Sequence, residues 1–75
     1  MKTVNHYDIY NEEERYNGCV TVMYTALASS EEEVRELAEE QGVDLDGLTI
    51  ELTRRNVRDQ LGRPYKPVFE EELYQ

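Results

Sequence analysis

The sequence predicts an α+β domain in which one helix lies across one face of a four-stranded antiparallel sheet, in the chain order β-β-α-β-β. Three observations predict it. Two segments of alternating apolar and polar residues precede residue 28, a capped amphipathic window occupies residues 29–42, and alternation resumes from Leu48.

The central window, SSEEEVRELAEEQG, holds a helix start, body and stop. Ser30 followed by Glu33 is a capping box in which each side chain satisfies a backbone N–H that the first turn leaves open, and Ser29 with Glu32 offers the same box one residue earlier. Val34, Leu37 and Ala38 fall on one stripe, and Gly42 supplies the left-handed residue that stops a helix.

Lys2 to Tyr10 is rich in β-branched and aromatic residues and reads as a first strand, with Tyr7 and Ile9 alternating against His6, Asp8 and Tyr10. Asn11 to Glu14 reads as the hairpin turn. From Tyr16 to Leu27 the alternation sets Val20, Val22, Tyr24 and Ala26 on the core face and Cys19, Thr21, Met23, Thr25 and Leu27 opposite, with a bulge at Gly18. After the helix, Val43 or Leu45 folds back on its end. Leu48, Ile50 and Leu52 form the helix-facing side of a third strand. Asp59 to Gly62 reads as a turn that returns Arg63 to Phe69 as a fourth strand, confined to an edge by Pro64 and Pro67, which lack the ladder donor. Glu70 to Gln75 reads as a frayed helical turn or a disordered tail.

At 75 residues the chain reads as one domain, residues 1–75, with a small core that removes about 60% of the unfolded surface. One cysteine excludes an internal disulfide, and one histidine with one cysteine builds no tetrahedral metal site without carboxylates. No apolar run approaches the ~18 residues of a membrane span and no signal segment opens the chain, so the expected location is cytoplasmic. The net charge of −9 repels nucleic acid and anionic membrane and favours a basic partner. Residues 29–47 hold eight acids against one base and so carry −7 of that charge, whereas residues 48–75 hold five of each.

Nothing in the sequence points to catalysis, to a metal or to a cofactor. His6 with Asp8 gives a conceivable oriented imidazole, but no serine or cysteine nucleophile is tied to it. Cys19 reads as a small half-buried residue, with a reactive or interface thiol as the alternative. Asp44-Leu45-Asp46-Gly47 has a fragment of a calcium loop, yet Arg55 stands where its bidentate glutamate belongs.

The helix is the more informative feature. Glu32, Glu36, Glu39 and Glu40 project away from the apolar stripe, and the six glutamates of residues 31–41 give about one charge per 2.8 Å, against ~1.7 Å for duplex DNA. Helix stability does not select this layout: Glu32 with Glu36 and Glu36 with Glu40 are like-charge i,i+4 pairs, each costing ~0.2–0.5 kcal/mol. The face is either a solvated surface or one that meets a basic groove on a partner. A second cluster, Arg54, Arg55, Arg58, Arg63 and Lys66 with Tyr65 and Phe69 interleaved, is read as internal charge balance, as a phosphate or base grip, or as a docking surface. Six tyrosines are too many for so small a core, so Tyr10, Tyr16 and Tyr74 are expected to be exposed.

On its length, the EEEVRELAEE face, the tyrosine content and the hairpin–helix–hairpin layout, the chain resembles the small acidic proteins by which phages inhibit host nucleic-acid-binding machines, the anti-CRISPR proteins and DNA mimics among them. The resemblance implies a stoichiometric, non-catalytic inhibitor that occupies the basic surface of a nucleic-acid-binding protein or complex. On this reading Glu32, Glu36, Glu39 and Glu40 with Tyr10 and Tyr16 are the partner-binding residues. A second reading is a structural or regulatory domain, monomer or homodimer, that docks through Arg54, Arg55, Arg58 and Tyr65 in its second hairpin. A third, direct nucleic-acid binding through the same arginines, runs against the charge.

Overall fold

The computed structural model describes residues 3–71. Its elements are β1 (Asn5–Tyr10), a short 3-10 turn (Glu12–Glu14), β2 (Val22–Ala28), α1 (Glu31–Glu40), β3 (Thr49–Arg54) and β4 (Val68–Glu71). The strands form one antiparallel sheet in the order β3-β1-β2-β4. This is the expected α+β class, with one helix between the second and third strands of a four-stranded sheet.

The topology differs from two hairpins flanking a helix. Only β1 and β2 form a hairpin; β3 and β4 lie at opposite edges of the sheet. Both β2 and β3 pair antiparallel with β1, so they run parallel to each other, and α1 is the crossover of a split β-α-β unit. Residues 55–67 then carry the chain past the end of the sheet to its far edge. Val57 N–H donates to the Val4 carbonyl at 2.7 Å and Asn56 N–H to the Asn5 side chain at 3.0 Å, which fastens the start of that passage beside β1. The Asp59 turn exists, closed by Asp59 N–H to the Arg63 carbonyl at 2.9 Å and by Gly62 N–H to the Asp59 carbonyl at 3.0 Å. It caps a small loop, and β4 begins only after Pro67, where every residue can again donate. Glu70 and Glu71 belong to β4, and the rest of the expected tail lies outside the described residues.

The first hairpin is also shorter than the alternation suggests, since β2 begins at Val22 instead of Tyr16. Tyr16 and Cys19 bridge each other with mutual hydrogen bonds of 2.7 and 2.9 Å around Asn17 and Gly18, whose φ values are +51° and +79°. Positive φ at both central residues marks a tight Asn-Gly turn, so Gly18 serves a reversal and not a bulge. Cys19 is exposed on that turn.

Tyr7, Ile9, Ala26, Ala28, Val34, Ala38, Leu45 and Phe69 make the core, with Ile9 and Val34 wholly buried. Alternation puts Tyr7 and Ile9 of β1 and Ala26 and Ala28 of β2 on the covered face, where the two alanines leave room for Val34 and Ala38 of the helix. Phe69 lies opposite Ala26, and its ring stacks on Tyr24 at 5.2 Å. α1 packs mainly on β2 and β4. Leu48, Ile50 and Leu52 therefore face the core cluster without lying under the helix, and they are half-buried.

Ile9 is wholly buried and Leu61 is 74% exposed, so Ile9→Ala is expected to cost about 2–5 kcal/mol and Leu61→Ala less than about 0.5 kcal/mol, measured as the shift in urea midpoint at unchanged slope.

Candidate functional site

Both ends of α1 are fixed by side chains. Ser30 Oγ accepts Glu33 N–H at 3.2 Å, the forward half of the capping box. The return half goes one residue further back: Glu33 Oε1 accepts Ser29 N–H at 2.8 Å and lies 3.3 Å from Ser29 Oγ. At the other end Gly42 has φ +74°, its N–H donates to the Glu39 carbonyl at 3.0 Å, and Val43 N–H donates to the Ala38 carbonyl at 2.9 Å. This is a Schellman stop, and Val43 packs against the core as that motif requires. The Gln41 amide donates to the Phe69 carbonyl at 2.9 Å, which ties the last turn of α1 to β4.

On this frame Glu32, Glu36, Glu39 and Glu40 are all exposed, as the spacing predicts. Among the described residues none of the four makes an ion pair. The one bridge on the helix joins Arg35 to Glu31 at 3.3 Å. Three acids in the first turn suit the positive end of the macrodipole, whereas Glu39 and Glu40 at the other end have no basic residue in the last turn to offset them.

The acidic surface also extends beyond the helix. An open depression of about 450 Å³ lies between the end of α1 and the connector, lined by Glu39, Asp44 and Asp46, by the one cation Arg35, and by Val43 and Leu45. The Asp44 carboxylate accepts Asp46 N–H at 2.9 Å, a local turn that holds the Asp44 side chain in place. The density of acids through residue 47 signals this extension, but only the glycine stop folds the connector back beside the helix.

The two tyrosines grouped with this face separate. Tyr16 is 78% exposed at the tip of the first hairpin. There Arg15 bridges the Glu12 carboxylate and donates to the Gly18 carbonyl at 3.0 Å, which braces the acidic 3-10 turn against the Asn-Gly turn. Tyr10 is 7% exposed, contrary to expectation. Its place at the centre of the sheet, paired with Val22 and Thr49, removes it from the partner-binding set. Tyr74 lies outside the described residues.

The arginines do not gather into one grip. Arg54 lies opposite His6 near the end of β3, while Arg58 is consumed by its own loop, donating to Gly62 O at 2.7 Å and to the Asn56 side chain at 3.1 Å. Arg55 and Tyr65 are exposed. On the uncovered face of the sheet, His6 Nδ1 lies 2.6 Å from Thr53 Oγ1 and 3.6 Å from Asp8 Oδ1. Thr53 Oγ1 donates to the His6 carbonyl at 3.1 Å, so its hydroxyl is left to accept from Nδ1–H and the ring is held across β1 and β3. The hydroxyl that lies against that ring, Thr53 Oγ1, gives its proton to the His6 carbonyl and not to the imidazole, and the described residues contain no cluster of three metal-ligating side chains. No helix among them is long and apolar enough to cross a membrane.

Comparison with protein families, with curated proteins and with solved structures finds no match for this chain.

Two outcomes follow from the electrostatics. Glu36 has a like charge one turn away on each side, so Glu36→Gln, which removes both repulsions, is expected to raise stability by about 0.4–1 kcal/mol, read by urea unfolding at low salt. Burial raises the Tyr10 phenol above its usual range, with the Glu51 and Glu12 carboxylates adding to the shift. The unfolded chain then ionises first, so stability present below about pH 10 is lost as pH rises past it, and Tyr10→Phe is expected to fall less than wild type between about pH 9 and about pH 11.

Proposed function

We propose that this chain is a non-catalytic protein-binding module, a stoichiometric inhibitor that sets its acidic helix face on the basic nucleic-acid-binding surface of a partner complex, in the manner of the anti-CRISPR proteins and DNA mimics it resembles. The observation that carries this reading is the row of Glu32, Glu36, Glu39 and Glu40, exposed and without ion pairs among the described residues. A basic groove supplies the positive charge that the chain itself withholds from the row. Attraction acts before contact, and counterions bound to the groove are released on docking. Asp44 and Asp46 extend the surface, and exposed Tyr16 supplies a flat apolar ring at a separate acidic tip. The partner on this reading is a protein, so direct binding to nucleic acid or membrane is not part of it, and the chain acts in the cytoplasm, where such machines work.

A second reading places the docking surface on the loop after β3. What favours it is a loop that leaves Leu61 74% and Tyr65 41% exposed, with Arg55 exposed at its start.

The experiment is a pull-down from host lysate with wild type beside the Glu32, Glu36, Glu39, Glu40→Lys variant, both verified as folded. The expected result is a nucleic-acid-processing protein retained by wild type, lost with the variant and weakened on the order of tenfold or more as salt rises from about 50 to 500 mM. Equal capture of the same partner by both proteins removes the helix from the interface and moves the search to Leu61 and Tyr65.

A further inference from the structure

We propose that the chain pairs with a second copy of itself through the outer edge of β3, antiparallel and centred on Leu52, to join two sheets into one of eight strands. β3 ends the sheet on the side away from β4, and among the described residues no strand pairs with its outer edge. The two edges differ. Among the described residues β4 has four, follows Pro67 and carries exposed Glu70 and Glu71, which repel a like strand. β3 has six residues and contains no proline. Its core-face residues Ile50 and Leu52 pack against the core cluster but stay half-buried at this edge, so a second copy would add to the cover that the chain's own helix and connector supply.

The register follows from face and charge. Ile50 and Leu52 lie opposite Ile9 and Tyr7 on the covered face, and Glu51 lies opposite Asp8 on the other. Residues opposed in a sheet share a face, so a two-fold axis must pass through a residue of β3. Centred on Glu51, pairing sets two carboxylates against each other; centred on Ile50, it pairs a shorter overlap and leaves Glu51 facing a threonine. Centred on Leu52, it joins the two leucines and sets each Glu51 across from the Thr53–Arg54 step of the second copy. The register shift between His6 and Tyr7 makes Thr53 the extra residue and turns Arg54 to the His6 side, the face that Glu51 occupies. Carboxylate then meets guanidinium at both ends of the pair.

Six residues make a short edge, so the association is weak and appears at high concentration. It is independent of the acidic helix, and the Glu32, Glu36, Glu39, Glu40→Lys variant should retain it. Sedimentation equilibrium of wild type is expected to rise from the 8.8 kDa monomer toward twice that mass at concentrations on the order of 1 mM, and Glu51→Arg to weaken the dimer about tenfold. In a Cys19→Ser background, Leu52→Cys should form a symmetric disulfide-linked dimer under mild oxidation, and Ile50→Cys and Glu51→Cys should not. Wild type remaining at monomer mass at the highest concentration overturns the proposal. So does cross-linking at position 50 or 51 in preference to 52, or a dimer that none of the three cysteines traps.

Discussion

A helix of ten residues is too narrow to roof four strands, and that mismatch of widths governs the molecule. A helix with its side chains is about 10 Å across, and four strands span roughly 14 Å between outer backbones before side chains are added. α1 therefore settles over β2 and β4, where Ala26 and Ala28 let it approach, and the chain after Gly42 has to complete the cover over β1 and β3. Val43, Leu45 and Leu48 do so only because the left-handed Gly42 turns the backbone back on itself. One glycine thus decides both where the helix ends and whether Ile9 is sealed from water.

The same geometry sets the electrostatics. With Val34, Leu37 and Ala38 turned toward the sheet, the glutamates have no direction but outward. Glu32, Glu36, Glu39 and Glu40 gather on one side while Arg54, Arg55, Arg58 and Arg63 go to an edge strand and the loop beyond it; Arg15 and Arg35 stay beside acids, paired with Glu12 and Glu31. This arrangement forgoes compensation: Arg35 offsets Glu31, and no cation follows Glu39 or Glu40 in the last turn. A protein selected only for a stable helix would place lysine there.

Local signals in the sequence were sufficient for α1, since the cap at Ser30, the stripe and the glycine stop all act within a turn or two of the residues that carry them. They were sufficient for the class of fold as well, because β-branched alternation before and after one helix leaves few ways to bury the apolar faces. Strand order was not legible: whether β4 joins β3 or β2 depends on Ala26 accepting Phe69 across the sheet, a contact between distant parts of the chain. The burial of Tyr10 is hidden for a related reason, since alternation alone cannot report that β1 is a central strand with neighbours on both sides. The Asn17-Gly18 reversal was present as a dipeptide and was masked by the apolar alternation running up to it. Of the candidate surface, the four glutamates were visible as a helical spacing, whereas the approach of Asp44 and Asp46 was hidden in the fold of the connector.

The Gln41 amide on the Phe69 carbonyl has a consequence for how the molecule assembles. The β1–β2 hairpin and α1 are built from neighbouring residues, whereas the paired residues of β1 and β3 lie 39 to 48 positions apart and those of β2 and β4 lie 41 to 47 apart; the Gln41–Phe69 contact spans 28 and is the shorter closure that brings β4 to the sheet. Phe69 covers Ala26 from the neighbouring strand, and the Gln41 bond ties that cover to the end of α1, so the helix and the edge strand hold each other in place over the same part of the core.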